Sequence, residues 1–358
     1  MTVSPSTPPL HTVMSPGRIG IGCWPIGGPF ESDGVPTGWS TASDEKALSG
    51  LRRAWELGVR LFDTSDLYGL GHSERLLGRL RAELGSEGEE LQISVRIGRF
   101  RGTAPNAYQP THMRHQMEQL AQNVGDDRIA IVSFDTLSFG PAREFLDDAI
   151  ETMHSFRAAG WAGALGMCGP SPISRGPGCG DATWDAKFGQ VFERLQPDVL
   201  FTEFSGLRPA VMIGDEDIFD FAARHGTAVL IHAPLAHGLL TGKYDPAAQT
   251  RFGSGDHRSA HPWFQQPALE LVHGALAPLR ERFGGDPRHL ASVALRYCLQ
   301  RSHGAGVLVG FTDLLQVESN LTSQDTQLTE AELELVSGVY ARLRSSLAAG
   351  VGPVLGQR

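Results

Sequence analysis

Eight short apolar segments, separated by amphipathic stretches, are the feature that most constrains the fold of this chain. Each segment is rich in Val, Ile, Leu and Phe and is bounded by turn residues. Such runs are typical of strands that are buried on both faces of a parallel sheet. They lie at 18–23, 59–64, 91–97, 129–135, 163–168, 199–204, 227–232 and 306–310.

Helical periodicity fills the intervals between these segments. Residues 43–57 and 143–159 each place their apolar side chains on one face, and each is followed by a glycine that can end a helix. Eight strands alternating with helices predict an α/β fold, a single-domain (β/α)8 TIM barrel. A doubly wound sheet is the alternative, but the glycines after the first strand lack GxGxxG spacing. Further helices are predicted at 74–84, 110–123, 184–195, 216–225 and 286–301.

The domain boundaries follow from composition. Residues 1–17 are rich in Pro, Ser and Thr and are expected to form a flexible N-terminal tail. The barrel is expected to span 18–345, including a helical tail at 329–345, and to be followed by a C-terminal tail at 346–358. Long loops are predicted after strand 5 (169–183) and strand 7 (236–285). Because the loops after barrel strands build the active site, these two should flank a pocket.

Composition restricts the partners. The chain has 358 residues, a net charge of −9 and no block of basic residues, which argues against nucleic acid and anionic membranes. No apolar run is long enough to span a bilayer, and the oligomeric state is left open. The four cysteines form no CxxC pair, which favours a reducing, cytoplasmic location. No metal site is predicted, because HRSAH at 257–261 lacks further ligands nearby and is expected to be a solvated loop.

Four polar side chains are expected to converge at the ends of consecutive strands. Asp63, Tyr68, Arg96 and Asp135 combine a phenol, a cation and two carboxyl groups, a set that can perform general acid–base catalysis. The structural alternative is equally open at this point. In it, Asp63 caps a turn, Tyr68 packs under a loop, and Arg96 and Asp135 form an ion pair.

Several motifs together resemble those of the aldo-keto reductase superfamily. The segment GVRLFDTSDLYGLGHSERLLGRL (Gly58–Leu80) is similar to the family signature, including the step from Asp63 to Tyr68. APLAHGLLTGKY (Ala233–Tyr244) and GVLVGFTDLLQVESNL (Gly306–Leu321) are similar to two further family segments. The resemblance implies a barrel that binds NADPH or NADH across its top, where a tyrosine protonates the carbonyl oxygen as hydride reaches the carbon.

The chain departs from the family's Asp-Tyr-Lys-His tetrad at two positions. Asp63 and Tyr68 match, but Arg96 stands at the lysine position and Asp135 at the histidine position. An ionised carboxylate only accepts hydrogen bonds, so Asp135 could donate to a carbonyl oxygen only if it stayed protonated. One branch of the family carries an acidic residue here and reduces a conjugated C=C bond, which points toward enone-like substrates.

The resemblance also implies a set of cofactor contacts, several of them altered. Cys168, Gly169 and Phe201 replace the Ser, Asn and Gln that hold the nicotinamide carboxamide in the family. Asp313 stands where a basic or hydroxyl side chain often meets the 2′-phosphate of NADPH, and its charge would favour NADH. The cofactor-binding residues implied are Gly22, Cys23, Trp24, Cys168, Phe201, His232, Leu235, Gly310, Thr312, Gln316 and Asn320.

The expected function is NAD(P)H-dependent reduction of a carbonyl or conjugated enone in a small hydrophobic molecule, with Tyr68 as proton donor. Trp24, Trp263 and Phe264 are expected to make the pocket apolar. Two alternatives remain open. The barrel could perform cofactor-independent acid–base chemistry such as a cyclisation, elimination or isomerisation, or it could be a non-catalytic ligand-binding homologue.

Overall fold

Eight parallel strands close into a barrel in a computed structural model, which describes residues 14, 17–32, 34–40, 43–170, 181–248, 251–301 and 304–351. Strand β1 pairs with both β2 and β8, which closes the barrel. The (β/α)8 prediction and all eight strand positions are therefore confirmed. The strands are β1 (Ile19–Gly22), β2 (Leu61–Ser65), β3 (Gln92–Ile97), β4 (Ile129–Phe134), β5 (Ala162–Cys168), β6 (Val199–Glu203), β7 (Ala228–His232) and β8 (Gly306–Val309).

Helices surround the barrel, and local signals fix their ends. In the first helix, the Ser43 side chain accepts a hydrogen bond from the Lys46 backbone N–H and so caps the N-terminus. The helices are α1 (Asp44–Glu56), α2 (His72–Leu84), α3 (Pro110–Val124), α4 (Leu146–Ala158), α5 (Asp181–Leu195), α6 (Ile218–His225), α7 (Ala268–Ala275), α8 (Ala277–Phe283), α9 (Pro287–Arg301), α10 (Leu314–Thr322) and α11 (Glu330–Val351).

Two hairpins and a long insertion lie outside the repeat. The hairpins pair Glu31–Ser32 with Val35–Pro36 and Met212–Ile213 with Glu216–Asp217. The insertion after β7 contains α7 and α8 together with short 3-10 helices at Ala236–Thr241, His257–Ser259 and Pro262–Phe264. It packs with α9 and α11 in a second apolar cluster, separate from the main cluster between the strands and helices.

Some predicted boundaries fall partly or wholly outside the described residues. This applies to most of the 1–17 tail, to 171–180 of the loop after β5, which includes Cys179, and to 352–358. Helix α11 continues to Val351, past residue 345, where the sequence predicts the barrel domain to end. Cys23, Cys168 and Cys298 are free thiols. None of the described helices is long and apolar enough to cross a bilayer.

The strands position the functional side chains through their two-residue period. Leu61, Phe201, Leu230 and Leu308 fill the interior of the barrel. Because every second residue of a strand faces the same side, Asp63, Glu203, His232 and Gly310 follow on the inside at the C-terminal rim. The rim of the barrel is therefore lined by groups that can take part in chemistry.

Candidate active site

A cavity of about 570 Å³ opens at the C-terminal ends of the strands. Asp63, Tyr68, Arg96 and Asp135 line one part of it, as the strand order predicts. The segment from Gly310 to Asn320, which includes the N-terminus of α10, lines another part. The cavity therefore joins the candidate catalytic group to the segment that resembles the family's adenine-binding helix.

Tyr68 and Asp63 are joined by one guanidinium group. Arg96 Nη2 donates to the Tyr68 hydroxyl and also to Asp63 Oδ2, at 2.9 Å. Ser94 Oγ donates to the other oxygen of Asp63, at 2.9 Å. Burial raises the pKa of Tyr68, although Arg96 opposes this rise, so the phenol keeps its proton at neutral pH. Since the oxygen accepts from Arg96, the hydroxyl hydrogen has no protein acceptor among the described residues.

Asp135 is an ionised acceptor. Arg96 Nη1 donates to its Oδ1 at 3.3 Å, Arg99 Nε donates to its Oδ2, and the Cys168 thiol lies 3.5 Å from Oδ1. Burial by itself would raise the pKa of Asp135, but the charges of Arg99 and Arg96 outweigh it and bring the pKa down to about 2. The Arg96–Asp135 ion pair of the structural alternative is thus present. A carboxylate held in this state cannot donate a hydrogen bond to a carbonyl oxygen.

Arg99 is a site residue that the sequence reasoning missed. Its loop is fixed by the buried carboxylate of Asp66, whose Oδ2 accepts the backbone N–H groups of Gly98 (2.9 Å), Arg99 (3.3 Å) and Phe100 (3.2 Å). Counting the charges expected at the buried strand ends could have predicted Arg99. An aspartate in place of the family's neutral histidine adds a buried negative charge, which requires a second nearby cation.

The predicted cofactor residues divide into two groups. Three of them do not line the cavity. Cys23 is fully buried, the half-buried Cys168 turns its thiol to Asp135, and Phe201 packs inside the barrel with Arg96 above its ring at 5.7 Å. The Phe201 ring lies one layer below the rim, where the polar side chains of the rim cover it, so it cannot contact a carboxamide. The residues that do line the cavity are Gly22, Trp24, His232, Leu235, Gly310, Thr312, Gln316 and Asn320.

The region of the cavity around α10 has both space and cations. A methyl group placed on Gly22 would lie 3.8 Å from the Gly310 nitrogen, so a larger side chain there would occupy the floor of the cavity. Lys243 and Arg288 lie in the wall, although Arg288 is paired there with Asp286 at 2.6 Å. Asp313 also lines it, and its Oδ1 caps α10 by accepting the Gln316 backbone N–H at 3.0 Å.

Near Tyr68 the cavity is lined by aromatic and imidazole rings. Trp24 stacks on Tyr68 with 6.1 Å between ring centroids, and the His257 ring lies 4.3 Å from Trp24. The prediction that 257–261 is a solvated loop is wrong for His257 and Arg258, which are buried, and holds for Ser259 and Ala260, which are exposed. Asp256 and Arg258 are 0% and 2% exposed, because two hydrogen bonds from Arg258 (2.9 and 2.6 Å) hold the Asp256 carboxylate in the interior.

Within the described ranges, no group of three or more His, Cys, Asp or Glu side chains could hold a metal ion.

Glu203 and Arg208 add a charged pair to the wall. Arg208 Nε lies 3.4 Å from Glu203 Oε1, and neither this nitrogen nor the buried Glu203 Oε2 makes a hydrogen bond within the described residues. Trp263 and Phe264, expected to make the pocket apolar, pack instead in the cluster formed by the insertion and do not line the cavity. They are buried there because the insertion folds back onto α9 and α11. The cavity wall is still mostly apolar, as the sequence predicts, but through Trp24 and other residues such as Trp39 and Phe311.

Comparison with known proteins agrees with this geometry. The model of the aldo/keto reductase family matches residues 18–341. An uncharacterised oxidoreductase of Mycobacterium tuberculosis is 28% identical over 323 residues, 87% of this chain and 85% of that protein. The NADH-specific methylglyoxal reductase of Escherichia coli is 23% identical, with 92% and 96% covered. The glycerol dehydrogenase structure from Gluconobacter oxydans aligns with a TM-score of 0.69 at 22% identity, with 95% and 94% covered.

The family match extends over nearly the whole barrel, from Arg18 at the start of β1 to Ala341 in α11. It includes the strands that carry Asp63, Arg96 and Asp135 and the segment around α10 that lines the cavity. The solved neighbour has the same fold over almost its full length. The chain belongs to the aldo/keto reductase family.

Proposed function

We propose that this protein is a nicotinamide-dependent oxidoreductase that reduces a carbonyl group in a small molecule, with Tyr68 as the proton donor. The observation that carries the proposal is the Tyr68 hydroxyl, which lines the cavity and accepts a hydrogen bond from Arg96. Its own hydrogen is therefore available to a substrate oxygen. The family membership and the oxidoreductase relatives support the same reaction class.

The buried cluster suits Tyr68 to this task. The raised pKa keeps the phenol protonated until negative charge develops on the carbonyl oxygen. Once the proton has moved, the Arg96 guanidinium stabilises the phenolate that remains. Asp63 accepts from the same guanidinium at 2.9 Å and keeps it pointed at the hydroxyl. A nicotinamide cofactor, when bound, supplies the hydride to the carbonyl carbon.

The residues present fit such a cofactor along the Gly22–Gly310 floor and around α10. The floor lacks side chains, and Lys243 can face a diphosphate. The family's carboxamide partners are absent from the cavity wall. Glu203 Oε2 has no hydrogen-bond partner among the described residues and offers an acceptor, whereas Arg208 Nε already faces Glu203 Oε1 at 3.4 Å. NADH is the favoured form, because the Asp313 carboxylate would repel a 2′-phosphate.

The ionised state of Asp135 favours carbonyl substrates over conjugated enones. The enone-reducing branch of the family would need a protonated acid at this position. Here Arg96 and Arg99 keep the carboxylate ionised. Aldehydes and ketones are therefore the substrates to test first.

The experiment is a titration of cofactor-free protein with NADH and NADPH, following tryptophan fluorescence, which Trp24 in the cavity wall should report. We expect micromolar binding, with NADH preferred. A Gly22→Leu variant should lose binding because its side chain fills the floor. The matched Gly274→Leu variant, on an exposed position of α7, should bind as the parent does. Turnover of an aldehyde and ketone panel would follow.

A second candidate function is cofactor-independent acid–base chemistry at the same cluster. The observation that favours it is that Cys168 and Phe201 do not line the cavity. No binding of either nucleotide at millimolar concentration would refute the reductase and leave this alternative.

A further inference from the structure

We propose that Arg99 donates the second hydrogen bond to the substrate carbonyl oxygen that Tyr68 protonates. This inference rests on the proposed function and assigns a substrate-contacting role to a residue outside the family's tetrad. The histidine of the tetrad would donate from the position that Asp135 occupies here. The argument depends on which groups of the cluster still have a free N–H.

Asp135 has no donor to offer. Both of its oxygens accept, Oδ1 from Arg96 at 3.3 Å and Oδ2 from Arg99, and the residue is 5% exposed. Arg96 offers no accessible donor in its place, because its Nη2 donates to Tyr68 and Asp63, its Nη1 donates to Asp135, and its unpartnered Nε is buried. Within this hydrogen-bonded series, the second donor to a carbonyl oxygen beside Tyr68 is therefore to be sought at Arg99.

Arg99 has free hydrogen-bond donors and lines the cavity. Its side-chain hydrogen bond goes from Nε to Asp135, and its Nη1 and Nη2 have no hydrogen-bond partner in the part of the chain that the structure describes. The side chain is 36% exposed and lines the same cavity as Tyr68. An unbroken series of hydrogen bonds runs from Tyr68 through Arg96 and Asp135 to Arg99.

The loop that carries Arg99 is held in place before substrate arrives. Three successive backbone N–H groups, from Gly98 to Phe100, converge on Asp66 Oδ2. A donor that is fixed in advance stabilises developing negative charge without the cost of reorganising, and this is the arrangement of an oxyanion hole. Asp66 thus acts as a positioning residue for Arg99.

The charges of the cluster indicate what Arg99 contacts. Arg96 and Arg99 balance Asp63 and Asp135, so these four side chains together carry no net charge. A neutral carbonyl enters without adding charge, and negative charge appears beside Arg99 only as the reaction proceeds. We therefore assign the free Nη edge of Arg99 to the reacting oxygen rather than to a second, anionic group of the substrate.

The test must separate a hydrogen-bond donor from a mere counter-ion of Asp135. Arg99→Met removes both roles, and it is paired with Arg101→Met, the same change at an exposed position of the same loop. Two double variants then divide the roles. Arg99→Met/Asp135→Leu removes the unpaired carboxylate but supplies no donor, whereas Arg99→Met/Asp135→His supplies an imidazole N–H at the family position.

We expect Arg99→Met to lower kcat/KM for 4-nitrobenzaldehyde with NADH by about 100-fold or more, the usual effect of losing one oxyanion donor. The Leu double variant should stay within about tenfold of that low value, and the His double variant should recover at least about tenfold. Equal recovery in both double variants would show that Arg99 only neutralises Asp135. A loss no larger than that of Arg101→Met would also overturn the proposal.

Benzoate gives a second readout that needs no turnover, because its carboxylate resembles the charge developing on the carbonyl oxygen. Fluorescence titration of cofactor-free protein should give a Kd at least about tenfold higher for Arg99→Met/Asp135→Leu, which has no unpaired carboxylate, than for Arg101→Met. Equal affinities would place Arg99 away from the oxygen site and overturn the inference. Failure of the proposed function appears separately, as absent nucleotide binding and absent turnover in the parent protein.

Discussion

Replacing Asp66 with asparagine should stabilise the protein at neutral pH, although it weakens a well-formed set of hydrogen bonds. The Asp66 carboxylate is 5% exposed and accepts three backbone N–H groups from residues 98–100, as well as the Ser65 hydroxyl at 3.1 Å. Burial raises the pKa of Asp66 from 3.8 to about 6, and these hydrogen bonds only partly oppose the rise. The charge is therefore costly to keep in the folded state.

The magnitude follows from linkage between proton binding and folding. A rise in pKa from 3.8 to about 6 corresponds to about 3 kcal/mol of lost stability once the group is ionised in both states. The sign is the reverse of that for a salt-bridged aspartate. The folded state binds the proton more tightly, so stability falls as pH rises from about 4 to about 6 and stays low above that range. An asparagine has no charge to desolvate, and its amide oxygen can still accept from the loop.

The assay is urea unfolding of the parent protein and the Asp66→Asn variant at pH 5 and pH 8. The stability of the variant relative to the parent should rise by about 1.5 kcal/mol between these two values, about half of the full effect. Because the other titrating groups are the same in both proteins, their contributions to the unfolding free energy cancel in the difference. Asp127→Asn, at an exposed position, is the matched control and should show no such trend. A relative stability that is flat or falls with pH would refute the reasoning.

Three further predictions concern the cavity and its wall. Tyr68→Phe should lower turnover by about 100-fold or more, because the proton donor is gone. Its stability in urea unfolding should change little, because Arg96 keeps its hydrogen bond to Asp63. Turnover close to that of the parent protein would contradict this prediction. Asp313→Asn should raise the affinity for NADPH relative to NADH by about tenfold, because asparagine still caps α10 but does not repel a phosphate. An unchanged ratio of the two Kd values in paired titrations would show that Asp313 does not discriminate between the cofactors. Asp256→Ala should cost about 3 to 5 kcal/mol in urea unfolding, because it leaves buried Arg258 without its partner; a loss below about 1 kcal/mol would contradict the burial argument.

The sequence determined the barrel and the grouping of its catalytic side chains. Apolar runs and helical stretches repeat with the period of parallel strands and crossover helices, so local patterns alone are enough to locate the eight strands. Because the C-terminal ends of consecutive parallel strands meet at one rim, Asp63, Arg96 and Asp135 had to come close together. These conclusions need only the amino-acid pattern and the geometry of one repeating unit.

Tertiary structure decided everything that depends on neighbours distant in sequence. The ionised state of Asp135 is set by Arg99, whose loop is anchored by Asp66 from a different unit. Burial of Phe201 beneath Arg96 removed it from the cavity, and its sequence position alone could not reveal this. The segment around Asp256 has the composition of a solvated loop, because residue types do not report an ion pair closed in the interior. Packing and charge balance act between elements, so only the assembled barrel decides which polar groups meet the substrate.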